Sequence, residues 1–180
     1  MSSRASIRTR RSDERFGKRH RDPATDGRGA PRPRSVTRRT QAVYYRDPSG
    51  HEPVDEFIDS VRPDAAQMAI DKACDYLNGL SESAPPLAFP HSSQIDGELR
   101  ELRCHYGRRL FRILYQRSKN LFVLLHALDK YRGPIARMDI ATAQQRFAEF
   151  KARMDATRRA PPRAAGHDAP PRTRSTRSSR

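Results

Sequence analysis

Apolar positions along this chain follow two different periods, set between long polar stretches at either end. QAVYYRD (41–47) is a β-branched and aromatic run that stops at the turn residues Asp47-Pro48-Ser49-Gly50, and it predicts a first strand. Glu52-Pro53 then opens VDEFIDSV, a short helix whose acids fall in the first turn, where the helix dipole favours them. A second helix starts at Pro63. Its Ala66, Ile70, Ala73, Cys74, Leu77 and Leu80 recur at helical spacing and draw one apolar stripe, while Asp64, Asp71, Lys72 and Asp75 fall off it. The proline-marked stretch SESAPPLAFPHSSQIDG (81–97) predicts a loop.

Beyond that loop the period changes from 3.6 to 2. LRELRCH (99–105), LFRILYQ (110–116) and NLFVLLHAL (120–128) predict three strands joined by YGRR and RSKN, connections short enough for hairpins. The third run is apolar on both faces, as a central strand covered from each side would be. After Tyr131-Arg132-Gly133-Pro134, a last helix repeats Ile140, Ala143, Phe147, Phe150 and Met154 at three and four. The order β-α-α-β-β-β-α implies an α+β fold: a small antiparallel sheet with helices packed on one face.

Charge refines the domain limits. The net charge of +15 belongs to the ends: residues 1–40 carry 13 Lys+Arg against 4 Asp+Glu, residues 151–180 carry 9 against 2, and the middle is nearly neutral. Both ends are poor in apolar residues and broken by Pro and Gly, so neither can bury enough surface to offset the entropy of ordering. The expectation is a disordered basic tail over 1–40, one domain over 41–157 and a second disordered basic tail over 158–180. The tails suit loose attraction to nucleic acid, or are solvated filler. No stretch has the length of a transmembrane helix. Cys74 and Cys104 lie far apart with no CxxC and no His at metal spacing, which fits two small buried residues in a reducing cytoplasm. No metal and no cofactor are expected.

The strands are rich in arginine. Residues two apart on a strand share a face, so Glu101, Arg103 and His105 point one way and Arg100, Leu102 and Cys104 the other. Arg112 shares its face with Leu110 and Leu114. With helices over one face, the charged residues would gather on the opposite one. There the planar guanidinium fork suits phosphate oxygens.

In this order the motifs take on a recognisable form. Asp96-Gly97, Leu99, Glu101-Leu102-Arg103, Gly107, Phe111-Arg112-Ile113-Leu114-Tyr115, Leu124-Leu125-His126 and Lys130 together resemble the phage-derived, HigB-type branch of the RelE/ParE toxin superfamily. The resemblance covers about residues 42–156, the domain without its tails. Two departures stand out: Arg100 occupies the family's tryptophan position, and the basic tract after the last strand is thinned to Lys130-Tyr131-Arg132-Gly133-Pro134.

The resemblance implies the toxin of a type II toxin–antitoxin module. Such a toxin is a small cytoplasmic endoribonuclease that cuts mRNA, commonly on the translating ribosome. A cognate helix-turn-helix antitoxin holds it inactive and can carry it indirectly to operator DNA. RNA brings its own nucleophile, the 2′-hydroxyl. A protein then needs only to align that hydroxyl, neutralise charge on the phosphorane-like transition state and move two protons. By the same resemblance Arg103 and Arg112 contact the scissile phosphate and Lys130 stabilises charge or moves a proton. Tyr131 would stack on a base or act as acid. His126 and His105 are possible acid–base groups, and Arg100, Arg108, Arg109, Arg132 and His105 would touch RNA. Each has a structural alternative: Arg103 as a salt-bridge partner of Glu101 or Glu98, His126 as a hydrogen-bonded core residue, Tyr131 packed on the Gly133-Pro134 turn, Arg108 and Arg109 solvated. Two other functions stay open, a ParE-like inhibitor of DNA gyrase and a non-catalytic nucleic-acid-binding protein.

Overall fold

The computed structural model describes residues 39–129, 132–156 and 160–170. The elements are β1 (Gln41–Tyr44), α1 (Pro53–Ser60), α2 (Asp64–Asp75), β2 (Ser92–Asp96), β3 (Leu99–Tyr106), β4 (Arg109–Ser118), β5 (Leu121–Asp129), α3 (Arg137–Asp155) and a 3-10 turn at Gly166–Asp168. They make a mixed α+β fold around one five-stranded sheet of order β1-β5-β4-β3-β2. The β3-β4-β5 meander is antiparallel, and β1 joins parallel to β5. Gly107 (φ 56°) sits in the β3–β4 hairpin, where its left-handed backbone turns the chain at no side-chain cost.

The sheet has one strand more than the sequence pattern predicts. SSQID pairs with β3 as an edge strand, Ser92 opposite Leu102, and only Ser92 of its five residues is buried. Its weak apolar content and the prolines before it hide the period.

Helix placement also differs from expectation, because the helices cover both faces. On one side α1 and α2 press Val54, Ile58, Ala66, Ile70 and Cys74 onto Leu102, Cys104, Phe111, Ile113 and Leu124. On the other, Ala143 and Phe150 of α3, with Ile140, Phe147 and Met154 at their flanks, pack on Val43, Leu99, Leu114, Val123 and Leu125. The two-sided apolar character of β5 is the physical cause: Phe122 and Leu124 feed one core, Val123 and Leu125 the other. The Tyr45 hydroxyl donates to Glu149 of α3, and burial together with that bond pushes the phenol up to about 12. Both cysteines are buried thiols, and burial raises that of Cys104.

Residues 160–170, read from sequence as part of a tail, return to the domain. The Tyr44 N–H donates to the Arg163 carbonyl (3.0 Å) and the Ala165 N–H to the Ala42 carbonyl (2.8 Å), which covers the outer edge of β1. Arg163 pairs with Glu52 and Asp55, and its guanidinium lies 4.5 Å from the centre of the Tyr44 ring. Backbone bonds, Arg163, a tie from His167 to Asp75 and a bond from Asn78 to the Ala165 carbonyl (3.0 Å) anchor this strap, with the small Ala165 buried beneath it, so its apolar composition gives little sign of it. The tail expectations for 1–38, 157–159 and 171–180 lie outside the described residues. Among the described residues no helix is long and apolar enough to cross a membrane.

Candidate functional site

The β3–β4 register sets Arg103 directly opposite Arg112. Like charges facing each other across a ladder repel, and Glu101, two residues from Arg103 on the same face, relieves it. Arg112 donates through Nε to one carboxylate oxygen of Glu101; Arg103 Nη1 (3.0 Å) and Ser93 Oγ (2.6 Å) donate to the other. Arg112 also donates through Nη1 to the Gly133 carbonyl at 2.8 Å, tying the strand to the loop ahead of α3. Burial alone would push the Glu101 carboxyl up, but the bonds from Arg112, Ser93 and Arg103 outweigh it and hold the group below the usual carboxylate range.

Two guanidinium groups therefore share one carboxylate, which leaves a surplus positive charge. The side chain of Arg112 is 8% exposed and that of Arg103 is 21% exposed, so Arg103 is the group that meets solvent. This pair does not lie on a helix-free face. It shares its face with Leu99 and Leu114, which α3 covers, and occupies the part of that face near the start of α3.

His126 of β5 stands opposite Leu114, next to a register shift in the β4–β5 ladder. Its Nε2 lies 3.1 Å from Asp139 Oδ1 and its Nδ1 3.3 Å from Arg146 Nη1, both on α3. A guanidinium only donates, so Nδ1 accepts and Nε2 carries the proton toward Asp139. Arg146 also donates to the Leu125 carbonyl at 2.7 Å. His126 is thus half-buried and engaged at both nitrogens, in keeping with its structural alternative.

The other arginines disperse. Arg100 projects to the α1/α2 side, donating to the Leu87 carbonyl (2.8 Å) and lining a cavity of about 610 Å³ with Tyr115, Arg117 and Phe122. It is therefore not part of the Arg103 cluster. Arg109 is tied to Asp129 and to the Arg62 carbonyl (2.7 Å), with its guanidinium 4.6 Å from the Phe111 ring centre. Arg108 is exposed in the hairpin and His105 is exposed beyond Arg103 on β3. Arg132 is exposed beside Gly133. Lys130 and Tyr131 lie outside the described residues.

The expected salt-bridge alternative of Arg103 with Glu101 is present, but three contributors were not foreseen, Ser93, Asp139 and Arg146, nor was the sharing of Glu101 with Arg112. Same-face spacing made Glu101 findable. Nothing in the sequence pairs α3 residues with His126, since that depends on where α3 lands on β5. Among the described residues no group of three or more His, Cys, Asp or Glu is placed to hold a metal ion.

Residues 58–148, half of the chain, match the family model described as Phage derived protein Gp49-like (DUF891). The matched span runs from the end of α1 into α3 and contains Glu101, Arg103, Arg112 and His126. No curated protein matches the chain.

Proposed function

The chain belongs to the Gp49-like family of phage-derived proteins, a RelE/toxin-like family, and on that premise we propose that it is the HigB-type toxin of a toxin–antitoxin module. In this reading it is a ribosome-associated endoribonuclease whose own residues cut mRNA without a metal ion, and it is restrained by a cognate helix-turn-helix antitoxin. The observation that carries it is the pair Arg103 and Arg112 on one buried carboxylate, with the outer arginine reaching solvent.

Arg103 binds the non-bridging oxygens of the scissile phosphate and takes up the charge that grows on them in the transition state. Arg112 is a positioning residue: through Glu101 it fixes where Arg103 stands. The 2′-oxygen attacks phosphorus as its proton leaves, the bond to the 5′-oxygen breaks, and that oxygen takes up a proton. The products are a 2′,3′-cyclic phosphate and a 5′-hydroxyl. His126 can donate its Nε2 proton once the substrate displaces Asp139, and Lys130 and Tyr131 would complete the proton traffic.

A second reading, inhibition of DNA gyrase in the manner of ParE, is favoured by the engagement of both His126 nitrogens, since a binding function needs no free acid–base group. Induced expression of the full chain separates the two. Pulse labelling should show protein synthesis failing first; DNA synthesis failing first would favour gyrase.

A further inference from the structure

We propose that Phe89 is a stacking platform for an unpaired nucleobase next to the phosphate held by Arg103, which makes the substrate single-stranded RNA. The inference rests on the reading of Arg103 as a phosphate-binding group. Single exposed apolar side chains are common on protein surfaces; the surroundings of this one give it a role. Phe89 is 73% exposed, and the Arg103 guanidinium carbon lies 5.5 Å from its ring centre, within cation–π range.

The loop is pinned where the ring stands. The Arg103 N–H donates to the His91 carbonyl at 2.8 Å, and the His91 and Ser92 N–H groups both donate to the Ala88 carbonyl at 3.1 Å. Ring and guanidinium are therefore held as neighbours by the β3 backbone. Arg103 is also the less committed member of the arginine pair. It gives one side-chain bond, to Glu101, and its Nε–H is a buried donor with no partner among the described residues. His91, two residues further along the same loop, has its ring centre 4.7 Å from that of Tyr76, which is 40% exposed.

A cation beside an open aromatic face is the arrangement that binds one nucleotide by phosphate and base together. A paired base keeps its faces inside the duplex, so a base must be unstacked to use Phe89. That requirement selects single strands, loops or ends.

The chain contains no tryptophan, so Phe89→Trp in the full chain gives a single fluorescent reporter at the proposed platform. Titration with a 2′-O-methyl single-stranded RNA should quench it saturably, over the range where anisotropy of the labelled strand reports binding. A blunt duplex should not quench it. Phe89→Ala should weaken single-strand binding roughly 5- to 100-fold, as loss of one stacked base does, and Phe89→Tyr should restore it. If the strand binds in an Arg103-dependent way while emission stays constant and Phe89→Ala binds like the parent, the platform is wrong and the Arg103 reading stands. If the parent chain binds no RNA, both fall.

Discussion

Truncating Glu101 to alanine would strip both strand arginines of their shared carboxylate. Glu101 is 1% exposed and Arg112 7%, so Arg112 would be left as a buried cation that still holds the Gly133 carbonyl but lacks a counter-charge. Removing one partner of a buried ion pair costs about 3–5 kcal/mol. Arg103, at 21% side-chain exposure, can turn to water and soften the loss, which places the expectation near 4 kcal/mol. Total stabilities are about 5–15 kcal/mol, and a domain of this size loses about 4 °C per kcal/mol, so the melting temperature should fall by about 15 °C at pH 7. Thermal and urea unfolding followed by circular dichroism measure it. Joint replacement, Glu101→Leu with Arg112→Leu, removes charge and counter-charge together and should recover all but about 1–2 kcal/mol. A single variant melting within about 3 °C of the parent would refute the reasoning, as would a double variant no better than the single one.

Three further outcomes follow from the same contacts. The folded carboxyl of Glu101 is held below its ordinary value near 4.5, so its stabilisation is complete above about pH 4.5 and is lost as pH falls through the lower folded value; the gap between parent and Glu101→Gln in pH-dependent urea melts should be flat at neutral pH and close only in acid, and closure between pH 7 and 5 would contradict this. Arg103→Ala should cost about 1 kcal/mol or less, as a partly exposed pair does, yet abolish growth arrest on induction; arrest falling only in proportion to stability would assign Arg103 a structural role. A β-carbon at Gly166 (φ 79°) would stand 2.2 Å from Asp75 Oδ1, so Gly166→Ala should loosen the strap by about 1–3 kcal/mol and speed hydrogen exchange at the Tyr44 amide, and unchanged exchange would show the strap does not hold β1.

Helices α2 and α3 and the meander were legible from their periods, the stripe from Ala66 to Leu77, the alternation from Leu99 to Tyr115 and the stripe from Ile140 to Met154, while α1 was legible from its opening proline and first-turn acids. β2 was not, since an edge strand with one buried side chain leaves almost no apolar signal. Parity alone separated Arg100 from Arg103, and it also set Glu101 beside Arg103. What parity cannot supply is register. The position of Arg112 opposite Arg103, and hence its burial against Glu101, depends on the length of the Gly107 hairpin and on where α3 closes over the sheet. For the same reason His126 was visible as a polar residue in an apolar strand, while its ties to Asp139 and Arg146 depended on packing between distant segments. The strap at 160–170 is held by Arg163, by backbone bonds to β1 and by polar ties to Asp75 and Asn78, and the small buried Ala165 leaves almost no apolar signal.

The most direct test of the central claim is end-group analysis of single-stranded RNA incubated in EDTA with the purified full chain, alongside Arg103→Ala. A cationic site that uses the substrate's own 2′-hydroxyl predicts 2′,3′-cyclic phosphate or 3′-phosphate ends, no cleavage by the Arg103 variant, and resistance of a substrate with a 2′-deoxynucleotide at the cut. Cleavage of that deoxy substrate, or 3′-hydroxyl ends formed only when magnesium is restored, would contradict the account.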